Sequence, residues 1–370
     1  MRCTCGCTGR PAQRCFSRYR STLQMASVAA AVVTYCFVLG SFAVAKLRAA
    51  DARFSLSYLN VTIDEPKLQD TNAVWETENY NYNYDPGYLE EIYEMRRERV
   101  WEVCVDKGLN TRGQPNAWEF FIDKDHHLVW CSIFKAASST WMYHFNILAG
   151  YNERFLRRTR KTPMSLARAR FPRPSVQQLQ DTLPHALSFL IVREPYERLL
   201  SAYRNKIEGA KNPYYRKLSK HIAQHYRYKQ DPMIDVPESV RSGPTFPEFV
   251  DYIINSKKFD EHWAPYHSFC TPCHVNFTVI AKMETLDRDE EYIIHKAGLQ
   301  RLLLPSHYRY KPRTAINKAR DGKATAALVE KYYSQLTKKQ MEKLHKIYGT
   351  DFEMFDYNAT KYFTFTQSEL

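Results

Sequence analysis

The chain has 370 residues, a net charge of +13, and 44% hydrophobic and 25% charged residues. These proportions exclude an intrinsically disordered chain, a collagen-like repeat, a coiled coil and a disulfide-dense miniprotein. Residues 1–50 hold seven basic residues and no acidic residue, so more than half of the net charge belongs to this terminus. The basic balance therefore does not predict a nucleic-acid partner.

An uncharged, apolar segment follows the first arginines. As a helix, residues 25–45 would reach about 31 Å, which matches the hydrocarbon core of a bilayer. The five arginines before it predict a cytoplasmic tail over residues 1–21 and a membrane anchor over residues 22–45. A cleaved signal peptide is the alternative, because the small residues 43–45 are typical of a cleavage site.

The rest of the chain is then predicted to be luminal. Residues 46–88 are polar with little apolar periodicity and indicate a stem, and residues 89–370 indicate one folded domain. N-glycosylation sequons begin at Asn60, Asn276 and Asn358. These features together predict a glycoprotein with its folded domain in the lumen.

Four cysteines lie beyond the apolar segment: Cys104, Cys131, Cys270 and Cys273. In an oxidising lumen they can form two disulfides, in any of three pairings. The C-x-x-C spacing of the last two also fits half of a zinc site or a redox pair, but no second pair completes a tetrahedral site. We therefore expect no metal.

Two short apolar runs each lead into a helical pattern. The first strand is predicted over residues 128–134, with its helix over residues 141–148. The second strand is predicted over Leu187–Val192, with its helix over residues 195–208. Two strand–helix units predict an α/β sheet with ligands at the carboxyl ends of the strands.

Each strand–helix turn is a candidate anion site, because the first N–H groups of a helix lack partners within the helix. The first turn joins a cation to small and hydroxyl side chains: Lys135, Ala136, Ala137, Ser138, Ser139 and Thr140. It lacks the glycines of a nucleoside-triphosphatase loop. In the second turn, Arg193 and Ser201 could bind one phosphate. The alternative pairs Arg193 and Arg198 with Glu194 and Glu197 on a solvated face.

Together the two turns resemble those of the Golgi carbohydrate sulfotransferases, in the branch of the chondroitin and dermatan 4-O-sulfotransferases and the HNK-1 sulfotransferase. The resemblance covers residues 90–357 and includes further short motifs: His262-Trp263, Cys270-Thr-Pro-Cys273, Lys282-Met-Glu-Thr-Leu286 and Tyr332-Tyr-Ser-Gln-Leu336. It implies a P-loop-like sulfotransferase fold with a central parallel sheet flanked by helices. It also implies a single-pass type II protein of the Golgi membrane.

The resemblance further implies the donor 3′-phosphoadenosine-5′-phosphosulfate (PAPS), without a metal. In that family the first turn binds the 5′-phosphosulfate and the second turn binds the 3′-phosphate. The implied donor-binding residues are Lys135, Ala136, Ala137, Ser138, Ser139, Thr140 and Trp141, then Arg193, Glu194, Pro195, Tyr196, Glu197, Arg198, Leu199, Leu200 and Ser201. Lys135 is expected to stabilise the leaving oxygen.

Transfer to a sugar hydroxyl also needs a general base. His262 is the first candidate, because it lies in a motif shared with the family, and a buried core histidine is the alternative. His185 and Glu284 are the second and third candidates.

Residues 154–173 contain eight basic residues and no acidic residue, between the two turns. Within this run, Arg157, Arg158, Arg160 and Lys161 are predicted to bind an acidic glycan or proteoglycan acceptor. The expected acceptor is the 4-O position of N-acetylgalactosamine in chondroitin or dermatan. The alternative acceptor is another glycan, such as one ending in glucuronic acid. The alternative functions of the protein are a nucleotide-hydrolysing enzyme and a catalytically silent glycan-binding protein.

Overall fold

A computed structural model describes residues 85–111, 113–227, 243–256, 259–304 and 322–366. The predicted tail and anchor, the stem up to residue 84 and the Asn60 sequon lie outside these ranges. Within them, no helix has both the length and the apolar character needed to cross a bilayer.

Helices surround a small four-stranded sheet. The strands are β1 (Phe120–Asp123), β2 (Leu128–Cys131), β3 (Leu187–Val192) and β4 (Val279–Lys282). The helices of the first half are α1 (Pro86–Asp106), α2 (Ser138–Leu148), α3 (Glu153–Arg158), α4 (Pro163–Arg170), α5 (Val176–Thr182), α6 (Pro195–Ala202) and α7 (Pro213–Arg227). Those of the second half are α8 (Phe246–Ser256), α9 (Tyr266–Phe269), α10 (Leu286–Lys296), α11 (Gln300–Leu303), α12 (Val329–Tyr333), α13 (Lys338–Met354) and α14 (Thr360–Phe365).

The sheet is mixed, with the strand order β1-β2-β3-β4. β2, β3 and β4 are parallel, whereas β1 pairs antiparallel with β2. The prediction of a wholly parallel sheet is therefore wrong at β1. The reason is the short turn over residues 124–127, because parallel neighbours need a crossover of about a dozen residues or more.

The two predicted strand–helix units are present, with three shifted boundaries. β3 has the predicted bounds, but β2 ends at Cys131 and α2 already begins at Ser138. After α6 the chain continues as a π-helical segment over Tyr203–Glu208 rather than as one α-helix. The carboxyl ends of β2 and β3 lie at the same edge of the sheet, so the two turns are neighbours.

Aromatic side chains build the core beneath this edge. Trp130, Trp141 and Phe189 are fully buried, and the Trp141 and Phe189 ring centroids lie 4.3 Å apart. This packing fixes α2 against β3, because large buried rings leave little freedom to shift.

Two disulfides connect α1 and β2 to the C-x-x-C segment. Cys104 is bonded to Cys273, and Cys131 to Cys270. The two cysteines of the motif thus have separate partners, so they form neither a redox pair nor half of a zinc site. Among the described residues, no group of three or more His, Cys, Asp or Glu side chains could hold a metal.

Candidate active site

The first turn has an unusual backbone. Lys135 and Ala137 adopt positive φ angles of 69° and 54°, which cost a non-glycine residue about 1–2 kcal/mol each. Ala137 is the N-cap of α2, and no side chain caps the helix there. No side-chain acceptor therefore occupies the start of α2, where the N–H of Thr140 donates to the Ala137 carbonyl at 3.0 Å.

Lys135 is the cation of this turn. Its Nζ donates a hydrogen bond of 2.7 Å to Oδ1 of Asn205, in the π-helical segment after α6. Burial lowers the pKa of Lys135 to about 7, and repulsion by Lys206, Arg193 and Arg198 adds to the shift. Positive charges of the second turn, of α6 and of the segment after it thus act on the ammonium group of the first turn, which favours binding of an anion between them.

The second turn presents Arg193 at the end of β3. Its NH2 lies 3.2 Å from Oε2 of Glu197, and both side chains are partly exposed. Its backbone is fixed by Tyr266, whose hydroxyl donates 2.7 Å to the Arg193 carbonyl. Ser201 is half-buried further along α6. An incoming phosphate could replace Glu197 as the partner of Arg193, because this ion pair is open to solvent.

Unlike α2, helix α6 has a side-chain cap. Oε2 of Glu194 accepts a hydrogen bond of 2.6 Å from the N–H of Glu197 and one of 2.7 Å from the hydroxyl of Tyr362. Burial raises the pKa of Glu194 to about 7. Because this carboxyl group occupies the start of α6, an anion at the second turn depends on Arg193 and Ser201 rather than on free N–H groups.

Arg198 is buried and supports the fold of the site. It is 2% exposed, and its guanidinium donates to the carbonyl oxygens of Phe134 at 2.9 Å and Ala264 at 2.7 Å. Arg198 therefore does not pair with Glu194 or Glu197 on a solvated face. Its burial also prevents direct contact with a ligand. Other predicted donor-site side chains also lie in the core: Trp141, Pro195, Tyr196, Leu199 and Leu200.

His262 lies beside the first turn, with its ring centroid 4.5 Å from that of Phe134. Its Nδ1 is 2.6 Å from Oδ1 of Asp260 and 2.9 Å from the hydroxyl of Tyr215. Burial lowers the pKa of His262 to about 4, against the opposing effect of the Asp260 hydrogen bond. The imidazole is therefore neutral at pH 7, and an Nδ1–H donated to Asp260 leaves the Nε2 lone pair as a proton acceptor.

The other two base candidates differ in position. His185 is exposed and precedes β3, at the edge of the sheet opposite the two turns. Glu284 follows β4 and accepts hydrogen bonds from the N–H of Glu194 at 3.1 Å and the hydroxyl of Tyr357 at 2.8 Å. Lys135 is one of the charges that lower the pKa of His262, so these two side chains are close enough to interact.

The basic run between the turns folds into α3 and α4. Three of its arginines already have protein partners: Arg157 pairs with Glu153, Arg170 with Asp125, and Arg168 donates to the Phe120 carbonyl. Because α2 runs about 16 Å away from the first turn, residues 153–161 begin at the far end of that helix. The exposed members are Arg154, Arg157, Arg158, Arg160, Lys161, Arg170 and Arg173.

The sequence did not predict that Asp260, Asn205 and Tyr215 belong to this site. Asp260 lies two residues before His262, and that spacing was the only local signal available. Asn205 and Tyr215 carry no such signal, because their roles depend on contacts across the tertiary structure. The two described sequon residues, Asn276 and Asn358, are both exposed.

Comparison with known proteins decides the family. The family model described as "Sulfotransferase family" matches residues 118–358, which is more than half of the chain and includes both turns. The chain belongs to the sulfotransferase family. It is therefore a sulfotransferase enzyme, and use of a PAPS donor is general for this family.

Curated relatives agree with this assignment. Carbohydrate sulfotransferase 11 of Rattus norvegicus is 28% identical over 287 residues, covering 73% of this chain and 77% of the relative. Carbohydrate sulfotransferase 14 of Danio rerio is 28% identical over 285 residues, covering 72% and 71%. Carbohydrate sulfotransferase 10 of Xenopus laevis is 27% identical over 296 residues, covering 74% and 78%. No solved structure gives a significant match.

Proposed function

We propose that this sulfotransferase moves the sulfuryl group of PAPS to a hydroxyl of an acidic glycan. The observation that carries the proposal is the convergence of Lys135 and Arg193, whose mutual repulsion contributes to the lowered pKa of Lys135. A donor with phosphate groups at both ends of its ribose would relieve that repulsion. The two turns that would bind these groups follow the neighbouring strands β2 and β3.

The donor would occupy both turns. The uncapped N-terminus of α2, with Ser138 and Ser139, suits the 5′-phosphosulfate. Arg193 and Ser201 suit the 3′-phosphate, with Glu197 giving up its ion pair. The buried residues of the motifs, such as Trp141 and Leu199, would position the backbone of the turns rather than touch the donor. This arrangement requires no metal.

Two side chains would perform the chemistry. Sulfuryl transfer, like phosphoryl transfer, depends on positioning and on stabilising charge that develops in the transition state. Lys135, once protonated beside the donor, would stabilise negative charge on the bridging oxygen. His262 would accept the proton of the acceptor hydroxyl at Nε2, with Asp260 holding the opposite side of the ring.

For the acceptor we propose the 4-O position of N-acetylgalactosamine in chondroitin or dermatan, following the resemblance of the two turns. A glycan ending in glucuronic acid is the second candidate. Arg157, Arg158, Arg160 and Lys161 stay a predicted acceptor-binding group, although they lie at the far end of α2.

We further propose that the enzyme acts in the Golgi lumen as a type II membrane protein. The two disulfides support an oxidising compartment, because cytosolic thiols are kept reduced. The apolar residues 22–45 would anchor the chain, and Asn276 and Asn358 would carry glycans. A start of the mature chain near Lys46 would contradict the anchor.

Titration with 3′-phosphoadenosine-5′-phosphate (PAP) tests donor binding. The wild-type protein should bind PAP, and Arg193→Gln should weaken binding by about tenfold or more, because charge-assisted hydrogen bonds contribute about 1.5–3 kcal/mol. Arg301→Gln, an exposed arginine on α11, is the matched control and should leave binding unchanged. A wild-type protein without PAP binding would exclude the proposed activity and favour a catalytically silent glycan-binding protein.

Transfer of labelled sulfate identifies the acceptor. The panel contains desulfated chondroitin, dermatan and heparan, together with a glucuronyl-capped glycan, and disaccharide analysis gives the position. We expect 4-O-sulfated N-acetylgalactosamine from chondroitin or dermatan. Labelling of the glucuronyl-capped glycan alone would select the second candidate.

A further inference from the structure

Helix α7 and the residues just before it carry positive charges and no negative ones. Residues 209–227 contain five Lys or Arg residues and two histidines but no Asp or Glu: Lys211, Arg216, Lys217, Lys220, Arg227, His221 and His225. At about 1.5 Å per residue, the 15 residues of α7 extend about 22 Å. An elongated surface of one sign suits a polyanion better than a small anion.

Four of these cations have no acidic partner. Lys211, Arg216, Lys217 and Lys220 are exposed, and none makes an ion pair within the described part of the chain. Arg227 differs, because its Nε lies 2.9 Å from Oε1 of Glu248. We call the four unpaired residues the α7 cation surface. Among the residues that the structure describes, no carboxylate neutralises their charges.

The start of α7 lies next to the proposed base. The hydroxyl of Tyr215, in the first turn of α7, is 2.9 Å from Nδ1 of His262. The Nζ of Lys206 lies 4.9 Å from the centre of the Tyr215 ring, and Lys206 is the charge that contributes most to the lowered pKa of Lys135. A chain lying along α7 would thus reach the reaction centre at one end.

The predicted group on and after α3 has no such connection. It begins beyond the carboxyl end of α2, about one helix length from the first turn, and Arg157 is already paired with Glu153. Position and pairing both favour α7 over α3.

We infer that the α7 cation surface binds the acidic glycan acceptor and directs its reacting sugar towards His262 and Lys135. This inference rests on the proposed sulfotransferase function and specifies where its acceptor lies. The carboxylate and sulfate groups of the glycan would pair with the four cations in succession. Because these contacts lie outside the reaction centre, they should strengthen binding of long acceptors more than of short ones.

The test uses two variants of the full-length protein with equal loss of charge. The first replaces the α7 cation surface with Lys211→Gln, Arg216→Gln, Lys217→Gln and Lys220→Gln. The control replaces four exposed lysines of α13 with Lys338→Gln, Lys339→Gln, Lys343→Gln and Lys346→Gln. Thermal unfolding and PAP affinity show that each variant is folded and retains its donor site.

Kinetics should separate the variants. For polymeric chondroitin, the α7 variant should raise KM at least tenfold and reduce the dependence of KM on salt, with an unchanged PAP Kd. For a chondroitin disaccharide, its KM should change less than threefold. The α13 control should match the wild type on both acceptors. A wild-type KM for the α7 variant, or an equal rise in the control, would overturn the inference.

A third variant compares the two candidate surfaces. Replacing Arg157, Arg158, Arg160 and Lys161 with Gln should affect polymer KM less than the α7 variant does, and the reverse order would overturn the inference. Elution of each protein from immobilised chondroitin sulfate gives a readout without turnover. The α7 variant should elute at lower salt than the α13 control. If the wild-type protein does not bind PAP, the proposed function is contradicted. The elution test still measures whether the α7 cation surface binds an acidic glycan.

Discussion

Nε of Arg198 donates a hydrogen bond of 2.9 Å to the carbonyl oxygen of Phe134, and this contact joins the second strand–helix turn to the first. The same guanidinium donates to Ala264 and lies 4.7 Å from the centre of the Tyr266 ring. Arg198 thereby fixes the residue that precedes Lys135. Its charge supports the site without being open to the donor.

We predict that Arg198→Lys lowers the free energy of unfolding by about 2–3 kcal/mol, because an ammonium group cannot reproduce the planar set of donors and buried carbonyls lose their partners. Chemical denaturation measures the change. Arg193→Lys is the control: it should alter stability little and weaken PAP binding, since Arg193 is partly exposed. Equal stability of Arg198→Lys and wild type would refute the structural role.

The lowered pKa of Lys135 predicts that the protein takes up a proton when it binds the donor. Burial and neighbouring cations lower the pKa of Lys135 from 10.5 to about 7, so it is mostly neutral at pH 8. A bound phosphate should raise this pKa and return the proton. Calorimetry of PAP binding at pH 8, in buffers of different ionisation enthalpy, should show uptake approaching one proton. Lys135→Arg should abolish the uptake while retaining binding, because arginine stays charged.

The same shift predicts how stability depends on pH. Between about pH 7 and 10.5 the unfolded chain binds more protons at Lys135 than the folded protein does, so the contribution of Lys135 to stability rises with pH across this window. Lys135→Met should remove the dependence. Denaturant titrations at pH 7 and 9 measure it. A mutant with the same pH dependence as wild type would contradict the prediction.

Substitution of Asp260 or His262 is expected to lower kcat without changing the affinity for the donor. His262→Ala should reduce kcat by about 10²–10⁴-fold, with PAP Kd unchanged. Asp260→Asn should reduce kcat by a smaller factor, because the ring loses the acceptor that holds Nδ1–H. Tyr215→Phe is the control for packing around the ring. Unchanged turnover in folded His262→Ala would transfer the base role to another residue, with Glu284 the next candidate.

The pH profile provides a second check on His262. A base fails when it becomes protonated, and burial lowers the pKa of His262 to about 4. The contribution of His262 to kcat should therefore be constant from about pH 5.5 upwards and should fall only at more acidic pH. A half-maximal loss near pH 6.5 would show that the imidazole is not buried as described.

The disulfides predict sensitivity to reductant. Non-reducing peptide mapping should recover the Cys104–Cys273 and Cys131–Cys270 pairs. Loss of either bond, as in Cys131→Ser with Cys270→Ser, should lower stability by about 2–5 kcal/mol, because each closes a long loop of the unfolded chain. Recovery of a Cys270–Cys273 pair would contradict the described connectivity.

The sequence by itself determined the two strand–helix turns, the bounds of β3 and the residues Lys135 and Arg193, because apolar runs and polar turns are local patterns. Tertiary structure alone decided which of the charged side chains are buried, which are paired and which are exposed. It buried Arg198, capped α6 with Glu194 and brought Tyr215 of α7 to His262. It also selected one disulfide pairing from three. These outcomes depend on contacts between residues far apart in the chain, and no local pattern records such contacts.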